Sequence, residues 1–161
     1  MHGILDPKST DDLLARNDVG RIGIYDGVRC HVIPVSYAFE HGAVVGSSAD
    51  GEKLRLLRRR PHDVCFEVDE RDSLGNWRSV IGWGSFEELD PLPGVAAMQL
   101  LVDHLLDVEG EEPRPATTAP RMSAATGAQP KLPLYAADVP GHAPVAFRIR
   151  LRERTGRYEQ R

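Results

Sequence analysis

The sequence predicts a mainly β domain, built as two packed sheets or a closed barrel with peripheral helices. Three observations carry this. Runs with an apolar period of two recur from Gly20 to Leu89 and again from Val145. Asp26-Gly27 and Glu40-His41-Gly42 join neighbouring runs as hairpins. Helical spacing is confined to short stretches between the strands, and the sequence has no internal repeats.

The first element is a short helix, started by Ser9-Thr10-Asp11-Asp12 ahead of Leu13-Leu14 and ending near Asn17. Gly20–Tyr25 alternates Ile22 and Ile24 with Arg21 and Gly23, and is a strand. The Asp26-Gly27 turn leads into a long strand, Arg29–Glu40, and His41-Gly42 turns the chain again into Ala43–Ser48, completing a meander. Gly51–Arg60 is a helix with Leu54 and Leu57 on one face, ended by Pro61. His62–Glu70 points Val64, Phe66 and Val68 inward. After the polar turn Arg71–Gly75, a strand runs from Trp77 towards Leu89, where Gly82 and Gly84 share a face and indicate a bulge or a close backbone approach.

Pro93 opens a third helix, on which Val95, Met98, Leu101, Val102, Leu105 and Leu106 cover much of the circumference. Such a helix is buried, either in the core or against a second subunit. From Glu109 to His142 the pattern gives way to Pro, Ala, Thr and Gly, a long loop or lid, partly ordered at most around Leu132–Tyr135. The chain returns with Val145, Phe147, Ile149 and Leu151 alternating against Arg148, Arg150 and Arg152, a final half-buried strand.

Composition narrows the function classes. The chain has 161 residues, 41% hydrophobic and 27% charged, which suits one soluble domain spanning residues 1–161. The net charge of −4, with no basic run longer than Arg58-Arg59-Arg60, argues against nucleic-acid binding. No apolar leader or membrane span is visible, so the expected location is cytoplasmic. Cys30 and Cys65 lack partners at ligand spacing and are expected to be reduced core thiols. No histidine pair has metal-ligand spacing, so no metal is expected. His31, which precedes the apolar run Val32–Tyr37, reads as a structural residue. Ser-His-Asp, Walker and GxGxxG patterns are absent, which argues against hydrolase, nucleoside-triphosphatase and Rossmann classes.

The most informative stretch is Val32–Lys53. Its first run sets His31, Ile33, Val35, Tyr37 and Phe39 on a heavy face, and Val32, Pro34, Ser36 and Ala38 on a slim one. Such a strand packs a core behind it and leaves room in front for a flat ligand, or for a dimer partner. Pro34 interrupts the donor ladder, as on an edge strand or beside a ligand. At the far end Ser47, Ser48 and Gly51 precede a helix start with Lys53 one turn in. Hydroxyls, helix N-terminal amides and a compact cation suit an anion; the alternative is a capped surface helix with a solvated lysine.

These residues carry a resemblance. The order is Gly20–Ile24 (GRIGI), Val32–Tyr37 (VIPVSY), Ser48–Leu54 (hydroxyl-x-x-Gly-x-Lys-Leu), Cys65–Glu70 (CFEVDE), Trp77–Gly82 (W-x-SV-x-G) and Thr155–Arg157 (TGR). It resembles the pyridoxamine 5'-phosphate oxidase-like split-barrel flavoproteins, in the branch that includes the nitroimidazole-resistance proteins. The resemblance implies a six-stranded antiparallel split β-barrel, a homodimer and FMN in a cleft between the subunits; deazaflavin, FAD and haem are alternatives. It implies that Ile33, Pro34, Val35, Ser36 and Tyr37 lie along the ring through their main chain. Ser47, Ser48 and Lys53 would hold the phosphate, with Trp77 and Ser79 contributing from the other side. Ser47 stands where relatives often carry Arg or His, and Asp50 brings a carboxylate towards the phosphate. Trp77 also reads as an ordinary core or interface tryptophan. The implied activity is hydride transfer to a small organic acceptor, a nitroaromatic or quinone-like compound ahead of a B6 vitamer. A non-catalytic carrier or sensor on the same barrel is the alternative, and the residues name no catalytic side chain.

Overall fold

The computed structural model describes residues 1–110 and 144–161, and the statements below concern those residues. The expected Pro-rich loop or lid, with its Leu132–Tyr135 island, therefore lies almost wholly outside the described residues. Eight strands and three helices follow in the order β1 (His2–Leu5), α1 (Pro7–Arg16), β2 (Val19–Tyr25), β3 (Cys30–Ser36), β4 (Ala38–Glu40), β5 (Ala43–Ser48), α2 (Glu52–Arg59), β6 (Val64–Ser73), β7 (Asn76–Glu88), α3 (Pro91–Gly110) and β8 (Val145–Gln160).

The strands form one antiparallel sheet in the order β3-β2-β6-β7-β8-β5-β4, with β1 added beside β8. The two ends of this path, β3 and β4, are consecutive in the chain with only Tyr37 between them. A sheet whose first and last strands are joined by one residue has to curl until its edges meet. That is a barrel. The mainly β antiparallel barrel is therefore observed, with two changes in strand count. The expected single strand Arg29–Glu40 is broken at Tyr37, because its first half pairs with β2 and its second with β5. The expected meander is broken in the same way. Strand β1 was not foreseen: His2–Leu5 has no alternation of its own and is a strand because it completes the edge of β8.

The core inside the barrel gathers Leu13 and Leu14 of α1, Ile22, Val35, Tyr37 and Val44, Leu54 and Leu57 of α2, and Val64, Phe66, Val80, Phe147 and Ile149. Helix α1 starts earlier than the Ser9-Thr10 signal suggests. Asp6 is the cap, its carboxylate accepting from the Ser9 amide at 2.8 Å, and Pro7 takes the first-turn position where its missing N–H costs nothing. Within one protomer, helix α3 is buried on one stripe only, so the core alternative of the expected burial does not hold around its circumference. Ala97, Leu101 and Leu105 are buried, but Leu92 and Val95 are 86% and 70% exposed. One stripe suffices, because α3 covers only the outer surface of the sheet beside Ala38. The cysteines also depart from expectation. Cys30 is exposed and Cys65 half-buried, because the pleat turns both to the outer surface, where the Cys65 sulfur lies over Gly23.

Strand β8 is longer than its apolar alternation indicates, because it serves three partners. One edge pairs with β7 along nearly its whole length; the other pairs first with β5 and then with β1. Its register against β7 shifts where Trp83 opposes Glu153 and Gly84 opposes Leu151, leaving Arg152 as the extra residue of a bulge. The bulge reverses the alternation: Phe147, Ile149 and Leu151 face inward before it, and Gly156 is buried after it. Gly84 is where the backbones press together. A Cβ built there would stand 2.1 Å from the Arg150 carbonyl oxygen. Since that atom is backbone and cannot swing aside, Gly84→Ala should destabilise by about 2–3 kcal/mol. Urea denaturation measures this, and an unchanged midpoint would show that the bulge tolerates a side chain.

The β2–β3 hairpin is held by Asp26. Its carboxylate accepts from the amides of Val28 and Arg29 at 2.7 and 2.8 Å and meets His31 Nε2 at 2.6 Å. The Arg29 amide first, then His31 and the Val28 amide, hold the carboxyl far below the usual carboxylate range. A carboxyl depressed in the fold contributes stability that is complete above its unfolded value, about 4, and is lost as the pH falls through the folded one. Asp26→Asn should therefore be less stable than the parent at pH 7, by a margin that narrows below about pH 4. Melting temperatures across that range decide it, and a margin independent of pH would contradict the assignment.

Candidate functional site

The point where β3 gives way to β4 creates an unusual seam. The Tyr37 amide still donates to Asp18 O at 2.9 Å, extending the ladder with β2. The next residue, Ala38, already pairs with Val45 of β5. Continuing that register two residues back sets Ser36 across from Ser47, yet there β3 follows β2 and makes no ladder with β5 among the described residues.

Polar side chains collect at this seam. Ser36, Ser47 and Ser48 are 6%, 6% and 7% exposed, with Ser47 on the face of β5 that it shares with Val45 and Ser48 on the opposite face, shared with Val44. The Ser48 hydroxyl donates to Ala49 O at 3.0 Å. The Ser36 hydroxyl is buried without a hydrogen-bond partner among the described residues. A buried hydroxyl left unpaired costs about 1–3 kcal/mol, so a native chain keeps one there for a reason. The open slim face expected in front of β3 is narrower than the sequence implied. Val32 and Pro34 are exposed, but Ser36 and Ala38 are covered.

Ser48 leads directly to α2. Gly51, in extended backbone, is its N-cap and supplies no side-chain cap, so the first-turn amides keep their donors. Lys53 is half-buried in that first turn with no acidic partner among the described residues, and burial lowers its pKa. An unpaired, partly desolvated ammonium beside uncapped helix amides is an anion site in its chemistry. Asp50 opposes this less than the sequence suggested. Arg58, one helix face away, reaches its carboxylate at 2.7 Å and also clasps Glu88 of β7. That clasp was not foreseen, because only the fold brings Glu88 next to α2.

The remaining expected residues divide. Val35 and Tyr37 are core residues whose side chains point away from the seam, and Ile33 is half-buried beside them. Only their main chain faces the free edge of β3, with Pro34 exposed on it. Trp77 and Ser79 lie on the outer surface of β7, separated from β3 by β2 and β6. Within one protomer the fold brings Ser36, Ser47, Ser48 and Lys53 to one end of the barrel and leaves Trp77 and Ser79 apart from them. Trp77 instead donates its indole N–H to Glu159 at 3.1 Å. Among the described residues no group of three or more His, Cys, Asp or Glu side chains is placed to hold a metal ion. No helix among them is long and apolar enough to cross a membrane.

A family model described as pyridoxamine 5'-phosphate oxidase matches residues 6–132, spanning the barrel from α1 to α3 and the seam. The chain belongs to the pyridoxamine 5'-phosphate oxidase family. Among its solved relatives is an FAD-binding protein of Mesorhizobium loti, 25% identical, with a TM-score of 0.70 and 99% of each chain covered. A 5-nitroimidazole antibiotic resistance protein of Bacteroides thetaiotaomicron shares the fold at 15% identity and a TM-score of 0.65, covering 98% of this chain and 87% of that one. An uncharacterised protein of Rhizobium meliloti is 23% identical over 91 residues, a match that spans 56% of this chain and 60% of that protein's length. The likeness to these solved structures runs through both halves of the barrel, including β8, which lies beyond the matched range of the family model.

Proposed function

We propose that this chain binds a flavin at the β3–β5 seam and acts as an oxidoreductase on a small organic acceptor. The observation that carries the reading is a buried Ser36 hydroxyl and a half-buried Lys53 at the two ends of one seam, both without a partner among the described residues. Membership of the family and the FAD-binding relative support it. In this account the phosphate sits on the first-turn amides of α2 with Ser47, Ser48 and Lys53. The ring lies along the free edge of β3, and the Ser36 hydroxyl gains its missing partner. The flavin supplies hydride chemistry; the chain supplies position, dryness and a cation.

FMN is the flavin the seam suits as we read it, since one phosphate satisfies Lys53 and the helix amides; FAD presents the same phosphate group with more beyond it. The acceptor class we favour is nitroaromatic or quinone-like, ahead of a phosphorylated B6 substrate, for which the described residues offer no second concentrated basic pocket. A homodimer in the cytoplasm completes the proposal. Val32, Ile81 and Trp83 are 67%, 38% and 41% exposed on the outer sheet, an apolar surface suited to a second copy. The second copy would supply Trp77 and Ser79 to the seam from across the interface.

Gel filtration after incubation with FMN or FAD tests the reading. About one flavin should co-elute per chain, at the size of a dimer. Protein that emerges colourless from both mixtures would overturn the flavin assignment. Bound, photoreduced flavin that a nitroaromatic and a quinone both fail to reoxidise would make the chain a carrier instead.

A further inference from the structure

Helix α3 carries apolar side chains on two opposite faces, and the barrel uses only one of them. Gly94, Ala97, Leu101 and Leu105 are buried where the helix packs on β4, β5 and β8. The side turned away from the barrel holds Leu92, Val95, Gln99, Val102 and Leu106. With 3.6 residues per turn these five positions fall within about 80° of one another. Leu92, Val95 and Gln99 are exposed, Val102 is half-buried and Leu106 is 46% exposed. Their spacing alternates between three and four residues, which is the narrow seam of a coiled coil. An apolar stripe of this kind facing solvent marks a surface that takes a partner.

The pattern identifies that partner. Read from either end the stripe is Leu, Val, Gln, Val, Leu, so it is complementary to itself. A two-fold axis at Gln99 sets Leu92 of one copy against Leu106 of the other, an isologous contact. Charge sets the direction. The acids of α3, Asp103, Asp107 and Glu109, stand in its C-terminal half; its first turn has none, and it carries no Lys or Arg. Parallel pairing would stack these acids on their own copies. Antiparallel pairing sets them beside the other helix's first turn, where the dipole is positive. Gln99 suits the same axis. One N–H of its amide donates to Asp103 at 2.7 Å, which leaves the second N–H and the carbonyl oxygen for Gln99 of the other copy. A single polar residue at such a position fixes the register of a helix pair.

We propose that α3 docks antiparallel on α3 of a second copy, so that two flavin-bearing dimers associate into a four-chain assembly. The stripe is separate from the sheet surface of Val32, Ile81 and Trp83, because α3 covers β4, β5 and β8 instead. A seam this short gives a weak contact that depends on concentration. Dimers are expected at the dilution of gel filtration, and four chains when the protein is concentrated. The inference does not rest on the flavin reading: without the sheet interface, the same stripe would pair two chains.

Sedimentation equilibrium over about a hundredfold range of protein concentration tests the proposal. The mass should double as the concentration rises. Leu92→Glu with Val95→Glu should abolish the doubling. The added acids suit the first turn of a helix, so the fold is kept, which a thermal melt checks. Leu92→Glu alone should weaken the association about tenfold or more, because it desolvates a charge in the seam. Adding Leu106→Lys should restore it, since only antiparallel pairing sets position 92 against position 106. FMN affinity should be the same in the parent and in the Leu92→Glu, Val95→Glu protein. A parent mass that never doubles would overturn the proposal, and is the result expected if the chain's own residues 111–143 cover the stripe. A doubling that survives Leu92→Glu with Val95→Glu, no rescue by Leu106→Lys, or a loss of FMN affinity in the double variant would each overturn it as well. Failure to bind FMN would leave this proposal standing, and failure to double in mass would leave the flavin reading standing.

Discussion

Tyr37→Ala is expected to destabilise the barrel by about 3–5 kcal/mol, the loss usual for a large buried aromatic. Tyr37 is the single residue between β3 and β4 and is fully buried. Its ring packs edge-on against Phe66 with centroids 4.8 Å apart, and its hydroxyl donates to Leu14 O at 2.6 Å. That carbonyl belongs to the last turn of α1, where helix carbonyls lose their intrahelical donors. One side chain therefore fills the core, ends a helix and fixes the place where the strand changes partners. Tyr37→Phe keeps the first role and forfeits the second, at about 1–2 kcal/mol for the orphaned carbonyl. Guanidinium denaturation separates the two. If Tyr37→Ala cost no more than Tyr37→Phe, the ring would not be what holds the strand crossing.

The second large effect concerns binding. Lys53→Ala should weaken flavin binding about tenfold or more, the usual result of removing a charged partner from a phosphate. Its effect on the stability of flavin-free protein should have the opposite sign or be small, because the partly buried ammonium has no acidic partner among the described residues to lose. Ser36→Ala should behave in the same way. Removing an unpaired buried hydroxyl relieves the empty seam by about 1 kcal/mol, yet deprives a bound flavin of a hydrogen bond. Thermal melts with and without FMN read both signs at once. A variant that loses stability without flavin and keeps its flavin affinity would make either residue structural.

Much of this was legible in the sequence, and the gaps have physical causes. The alternation of Ile22 with Ile24 and of Val64, Phe66 and Val68 reported inward faces directly, because each of those strands has one buried side. The close approach at Gly84 was legible because glycine is the only residue that fits there. The break at Tyr37 was not, since the heavy face of Arg29–Glu40 continues through it without a change in period. What changes is the partner, and partner identity is a long-range fact. For the same reason β1 went unseen, and so did the Arg58 clasp on Asp50 and Glu88. The anion-friendly residue types at Ser47, Ser48 and Lys53 could be read from spacing. That Ser36 joins them with an unpartnered hydroxyl required the fold.

The central claim is that the seam seats a flavin phosphate. Parallel titrations of the purified protein with FMN and with riboflavin, which differ by that phosphate alone, test it most directly. The account predicts that FMN binds more tightly, by about tenfold or more, and that Lys53→Ala removes most of the difference. Equal affinities for the two, or no binding of either, would contradict it.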